Sequence, residues 1–410
     1  MTEVPYELYV GIDWGSERHQ VVVLDAERRV QHERGVAHAG EALHALAHWL
    51  VELGGGRPVA VAIEVPHGAV VDVLLERGCH VFALNPRQMD RFRDRYTVAG
   101  AKDDRRDARV LASALATDRA AFRRLQTDDP LVRQLREWAR IDAELGDELR
   151  RLASRLREQL LRFYPQALGL CSAAAEPWFW ALLKRAPTPA AAARLRPAPV
   201  ATLLRTYRIR RLTAAAVLAA LQVPPVYVAP GTVDAARDHI ALLLPRLELL
   251  AEQRRLCTQR LEQALEDLAT QEEQQGHRDV TILRSLPGVG RVVAATMLAE
   301  ASPLLARRDY HGLRAYSGVA PVTRQSGKRR LVGMRYACNP RLRNAVYYWA
   351  FIAAQHDPAT RHQYQALRAR GHSQGRALRG VVDRLLAVLI AMLNTQTLYD
   401  AERRAGARAA

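Results

Sequence analysis

Two apolar, strand-like runs near the N-terminus both end on a carboxylate: LYVGID closes on Asp13 and VAVAIE on Glu64. A helix-like stretch then begins in AKDDRRDA, where Asp104 and Asp107 stand three residues apart and therefore on one helix face. Asp103 adjoins the pair, but the i, i+3 spacing favours Asp104 with Asp107. Carboxylates at strand ends and on one face of a helix can converge on one point. Such a cluster suits Mg²⁺, which takes oxygen ligands and binds through a few carboxylates together with substrate phosphates. Two such ions about 3.5–4 Å apart stabilise both the attacking and the leaving oxygen of a phosphodiester. Each acid alone has a plainer reading, as a turn former, a solvated side chain or a helix-dipole partner. Their order and placement together favour the metal cluster.

The elements around these acids spell an α/β domain. LYVGIDWGSERHQVVVL reads as strand, Gly-Ser turn, strand, and residues 28–36 as a third strand. EALHALAHWLVEL has helical periodicity and stops at Gly54-Gly55-Gly56. PVAVAIE is a strand, residues 68–77 a helix, CHVFALN a strand, and Asp104 to Leu115 a helix. Three strands followed by alternating helices and strands make a mixed sheet covered by helices.

From Leu131 the period changes to threes and fours: Leu131, Leu135, Trp138, Ile141, Leu145, Leu149, Leu152, Leu156, Leu160 and Phe163, with Pro165 ending the run. A second seam holds Leu247, Leu250, Arg254, Cys257, Leu261, Ala264 and Leu268. Both read as long coiled-coil-like helices. An intramolecular antiparallel pair and a dimer-forming coiled coil fit them equally. Residues 170–240, between the seams, read as helical and carry no visible chemistry.

A chain of 410 residues exceeds one typical domain. We expect three regions: 1–125 around the acids, 126–280 helical with an insertion at about 170–240, and 281–400 mostly α. Lys and Arg number 60 against 43 Asp and Glu, a formal net charge of +17, which favours a polyanionic partner. The longest clean apolar run, LLAVLIAML, is too short to span a bilayer, so no membrane association is expected. The N-terminus lacks the pattern of a secretory signal. Cys79, Cys171, Cys257 and Cys338 lie far apart and suit a reducing cytoplasm better than a zinc site or a disulfide framework.

The last region holds two further motifs. LPGVG precedes a helix and resembles a helix-hairpin-helix turn, whose backbone N–H groups can hold a phosphate. YSGVAPVTRQSGKRRLVG then brackets Ser326 with Arg324, Lys328, Arg329 and Arg330, and Arg341 and Arg343 follow. A serine beside glycine reads first as a loop residue, and such cations serve most often as phosphate-backbone contacts. A nucleophile attacking phosphate also wants a flexible backbone and cations around it.

GIDWGSERHQVVVLD, IEVPHG and LNPRQMDRFRDRYTVAGAKDDRRDARVLA, with LPGVG, AYSGVAPVTRQSGKRR and CNPRLRNAVYYWA, appear in an order and separation that resemble one known family. It is the DEDD-type insertion-sequence transposases of family one-ten, serine-dependent recombinases guided by a bridge RNA. The resemblance implies an N-terminal RuvC-like (RNase H-like) fold whose tetrad, here Asp13, Glu64, Asp104 and Asp107, binds Mg²⁺. It implies a C-terminal domain whose serine, here Ser326, attacks DNA; Ser317 in AYSGVAP is the alternative. Where the family often has Ser-Gly-Gly, this chain has Ser326-Gly327-Lys328.

The expected function is Mg²⁺-dependent strand cleavage and exchange through a phosphoserine intermediate, on element ends and target DNA, with a structured guide RNA. A homo-oligomer, dimer or tetramer, is expected, because two DNA ends must be cut and exchanged. One rival is a RuvC-like metal-dependent nuclease without a covalent intermediate. A second is a non-catalytic nucleic-acid-binding protein. A third, an actin-like kinase suggested by GIDWGS, would need a second phosphate loop and an adenosine pocket that the sequence does not display.

Overall fold

The computed structural model describes residues 6–84, 86–94, 103–126, 129–327 and 329–402. The chain divides into two compact units, Met1–Asp129 and Pro130–Ala410.

In the first unit, β1 (Tyr9–Asp13), β2 (Arg18–Leu24) and β3 (Val30–Ala37) form an antiparallel meander. α1 (Gly40–Leu53) crosses to β4 (Ala60–Ile63), which lies parallel to β1, and α2 (Ala69–Glu76) crosses to β5 (His80–Ala83), parallel to β4. After α3 (Pro86–Arg93) and α4 (Asp104–Thr117), the two-residue β6 (Arg123–Arg124) pairs antiparallel with β5 and completes the order β3-β2-β1-β4-β5-β6. The expected α/β architecture is present. α3 and β6 were not foreseen.

The strand alternation explains the layers. Val10 and Ile12 point to one face and pack with Leu43, Leu46 and Leu50 of α1 and Val70, Val71 and Leu74 of α2. Gly11, Ala60 and Ala62 point to the other face, where α4 lies. These small residues let α4 come close. A Cβ on Gly11 would stand 1.8 Å from the Ala108 carbonyl oxygen.

Among the described residues, the second unit is helical apart from one hairpin. α5 (Pro130–Phe163) and α10 (Thr232–Gln274) pack along each other. Trp138 contacts Cys257 and Asp142 contacts Arg254, so chain numbers rise on one helix as they fall on the other. The two heptad seams therefore satisfy one another as an antiparallel pair within one chain. Ile141 is not on that seam. It is exposed, and the seam runs instead through Ala139, Asp142 and Gly146, where Arg254 lies over the missing side chain of Gly146 to reach buried Asp142.

At the far end of this pair, α6 to α9 (Pro177–Arg185, Pro189–Ala192, Pro197–Thr206 and Ala214–Leu221) enclose a core of their own with Leu156, Leu160, Ile240 and Leu247. Proline opens three of these helices, at a position whose N–H would have no helical partner anyway. At the near end, α11 (Asp279–Ser285), α12 (Arg291–Ala306), α13 (Tyr310–Tyr316), α14 (Pro340–His356), α15 (Pro358–Ala369) and α16 (Gln374–Thr395) gather with the start of α5. The hairpin β7 (Val322–Ser326) and β8 (Arg329–Gly333) projects from this group. Among the described residues, no helix is long and apolar enough to cross a membrane.

Candidate active-site residues

Asp13 ends β1, and Glu64 follows the last residue of β4. Ile12 pairs with Ile63, so Asp13 and Glu64 are neighbours at the same end of two parallel strands. Counting by twos from Gly11 and Ala62 puts both carboxylates on the face that α4 covers. α4 lies over β1, with Ala108 and Ala112 against Gly11, and Arg93, which binds Asp107, also feels the charge of Glu64. Its first turn, with Asp104 and Asp107, therefore lies toward the strand ends that carry Asp13 and Glu64.

The three aspartates at the start of α4 separate into different roles. Asp103 is the N-cap, its side chain accepting from the Arg105 N–H at 3.2 Å. Asp104 is exposed, and Asp107 is only 2% exposed. Burying that charge requires a counter-charge, and Arg93 at the end of α3 supplies it. Nε donates to Oδ1 at 2.7 Å and Nη2 to Oδ2 at 2.9 Å. The hydrogen bonds to Asp107, with the charges of Asp107, Asp90 and Glu64 around it, hold the Arg93 guanidinium above its ordinary range.

A hard divalent cation would find suitable oxygen donors in Asp13, Glu64, Asp104 and Asp107. As placed here they do not fit one. Among the described residues, no three His, Cys, Asp or Glu side chains stand together so as to hold a metal ion, and Arg93 occupies both oxygens of Asp107. Sequence reasoning missed Arg93, because RQMDRFRDR reads as a solvated charge run.

A second unforeseen feature supports the turn after Asp13. His19 is fully buried, accepts the Gly15 N–H on Nδ1 at 3.3 Å, and meets Nδ1 of His38 through Nε2 at 2.8 Å. With Nδ1 accepting, Nε2 carries the proton and donates to His38. Burial, then the nearby His38, pushes the His19 pKa below its ordinary value.

In the second unit, Ser326 is the last residue of β7 and pairs across the hairpin with Arg329. Gly327 turns the chain with φ +54, a conformation that costs glycine little. Directly opposed residues share a face, so Ser326, Arg329 and Arg324 lie on one side, with Gln325 and Arg330 on the other. All five are exposed. Lys328 lies outside the described residues. Arg341 is exposed at the start of α14, 3.8 Å from Glu144, and the half-buried Arg343 reaches the Cys338 Sγ at 3.8 Å.

Ser317 is different in kind. It is 1% exposed, and its hydroxyl donates to the Leu313 carbonyl at 2.6 Å, closing the end of α13. The LPGVG motif does join two helices, but Gly288 serves packing: a Cβ there would stand 2.7 Å from the Ala353 backbone nitrogen. Trp349 fixes the same turn by donating from Nε1 to the Pro287 carbonyl at 3.0 Å.

Residues 10–165 match a family described as a transposase of the DEDD type, and residues 280–365 one described as the IS116/IS110/IS902 transposase family. A putative transposase of Sinorhizobium fredii, y4uE, is 48% identical over 236 residues, covering 56% of this chain and 63% of that protein. The mini-circle putative transposase for IS117 of Streptomyces coelicolor is 32% identical over 413 residues and 98% of both chains. An uncharacterised 43.6 kDa protein of insertion element IS110, from the same organism, is 28% identical over 97% of each chain. The first family match takes in α5, the two matches leave residues 166–279 between them, and the likeness to the IS117 relative covers 98% of this chain. On that end-to-end likeness, the chain belongs to the IS110/IS116 family of insertion-sequence transposases.

Proposed function

We propose that this transposase cleaves and exchanges DNA strands at its element's ends through a covalent phosphoserine intermediate formed by Ser326. The observation that carries the reading is the exposed hairpin end, where Ser326 has Arg329 opposite it and Arg324 two residues away on the same face. The Ser326 Oγ–P bond forms as the phosphorus–oxygen bond to one DNA strand breaks. The serine proton leaves and the departing DNA oxygen takes one up. Guanidinium groups beside the phosphate stabilise the charge that builds on its oxygens. The link conserves the phosphodiester energy, so rejoining needs no ATP.

We read the first unit as RNase H-like, that is RuvC-like. Its antiparallel β1–β3 meander followed by parallel β4 and β5 supports this. Asp13, Glu64, Asp104 and Asp107 are its acidic set, and their donor chemistry is what supports Mg²⁺ as cofactor. Arg93 holds both oxygens of Asp107, so a cation bound there would have to displace the guanidinium. The net charge of +17 supports a nucleic-acid partner. Guidance by a structured RNA rests on the family resemblance.

The test is a denaturing gel of full-length protein with labelled element-end DNA. Wild type should give a denaturation-resistant adduct, Ser326→Ala none, and Ser317→Ala the adduct again. An adduct that survives Ser326→Ala but not a folded Ser317→Ala reassigns the nucleophile. Cleaved DNA with no adduct in any of the proteins returns the site to a water-activating nuclease.

A further inference from the structure

The helices α6 to α9, at the far end of the α5–α10 pair, carry an unbalanced charge. From Pro177 to Val233 the chain contains no Asp or Glu, whereas α5 and α10 mix both signs along their length. Lys184 and Arg211 reach acids outside this stretch, Glu248 and Glu176. Among the described residues, Arg194, Arg196, Arg205, Arg208 and Arg210 have no acidic partner, and all five are exposed. They frame α8. Arg196 is its N-cap and Arg194 precedes it, while Arg205 lies in its last turn and Arg208 and Arg210 follow. Folding does not account for them. Arg196 makes no capping bond and sets a cation at the positive end of the helix dipole. Arg208 takes the left-handed conformation, φ +54, which costs glycine least. Like charges on one small surface repel each other, and a polyanion from outside relieves that repulsion.

We propose that this surface holds duplex DNA by its phosphates, as a contact separate from the Ser326 hairpin. Arginine stays charged and offers a planar fork of donors that matches phosphate oxygens. DNA is the polyanion on which an insertion-sequence transposase acts, and the dimensions of α8 suit it. Ten residues of helix set the two arginine groups about 15 Å apart. The major groove of B-form DNA is about 12 Å wide, so the two groups can reach the phosphate rows on either side of it. In A-form RNA the same groove is narrow and deep, and the rows lie too close for that span. The contacts fall on backbone, so they position the duplex without reading its sequence. The inference rests on the family and on this surface, and it does not depend on the nucleophile or the metal.

Anisotropy titrations of the full-length protein test it, with a labelled DNA duplex lacking element sequence and an RNA duplex of the same length, at several salt concentrations. The paired variants Arg194→Ala with Arg196→Ala, and Arg205→Ala with Arg210→Ala, should each weaken DNA binding by roughly tenfold or more at about 0.1 M salt. Each pair should also lower the magnitude of the salt slope by roughly two. Their circular dichroism should match wild type, since the side chains are exposed. The same pairs changed to lysine should keep most of the slope, because the charge remains. Reversible binding is the only readout, so failure of the Ser326 reading would leave it unaltered. Three results overturn the proposal. The first is wild-type DNA affinity and slope in either alanine pair. The second is a lysine pair that loses as much slope as its alanine counterpart. The third is a loss as large or larger on the RNA duplex, which would assign the surface to RNA.

Discussion

Arg93 holds Asp107 by both carboxylate oxygens, through Nε at 2.7 Å and Nη2 at 2.9 Å, and its Nη1 donates to Asp90 at 2.9 Å. A buried acid of the candidate site is thus neutralised from within the protein. Arg93→Ala leaves the Asp107 charge buried without that partner. The expected loss is about 3 kcal/mol, at the lower end for a broken buried pair because Arg93 keeps one solvent-facing edge. Urea denaturation measures it. Mg²⁺ should raise the midpoint of Arg93→Ala more than that of wild type if a cation takes the place of the guanidinium. Equal Mg²⁺ effects on the two proteins would speak against such an exchange.

The contact that seats α4 on the sheet gives a second prediction. Gly11→Ala drives a methyl into the Ala108 carbonyl, from a starting separation of 1.8 Å, with the Ala112 nitrogen 2.6 Å away. Both obstacles are backbone, so neither can rotate aside. α4 must shift as a body and carry Asp104 and Asp107 with it. We expect a loss of about 3 kcal/mol in the first unit, near the upper end for overpacking, together with strongly reduced DNA cleavage. A variant with unchanged urea midpoint and activity would show that α4 does not lie against β1 as described.

The outline of the first unit was legible because strand ends and helix starts carry local marks. Asp13 and Glu64 close apolar runs and Asp104 opens a capped helix; alternation gives the face of the two strand-end acids, and the parallel pairing of β1 with β4 puts them at one end. What escaped depends on contacts distant in sequence. Nothing in RQMDRFRDR distinguishes Arg93 from Arg91 until α3 is laid beside α4. His19 and His38 become a pair only when β2 and the end of β3 pair. The choice between an intramolecular and an intermolecular helix pair was equally hidden, since both bury the same heptads. The Ser326 segment read as a cationic loop because β7 and β8 are exposed on both faces and lack the alternation that marks a half-buried strand.

The His19–His38 contact predicts a pH dependence with a definite sign. The pKa of His19 is lowered in the folded protein, so the unfolded chain takes up the proton first as pH falls. Its contribution to stability is complete above the ordinary histidine value of about 6.5 and is lost progressively below it. Urea midpoints should therefore fall between about pH 7.5 and about pH 5.5. His19→Gln, which cannot be protonated there, should flatten that slope. An unchanged slope would assign the acid sensitivity to other groups.

The cations around Ser326 should not all contribute alike to nucleic-acid binding. Arg324, Arg329 and Arg330 stand exposed on a hairpin, free to reach phosphates without leaving a buried contact. Arg343 is half-buried against Cys338, and Arg341 is 3.8 Å from the Glu144 carboxylate. Each full phosphate contact releases about one counterion, so its removal lowers the magnitude of the slope of log K against log salt by roughly one. Alanine at Arg324, Arg329 or Arg330 should have that effect and weaken binding similarly across sequences, as backbone contacts do. Arg343→Ala should change the slope much less and act mainly through stability, because its guanidinium is partly occupied inside the protein. Titrations of labelled DNA at several salt concentrations separate the two groups. A hairpin variant that loses preference at one base while keeping the wild-type slope would instead assign that arginine to direct base reading.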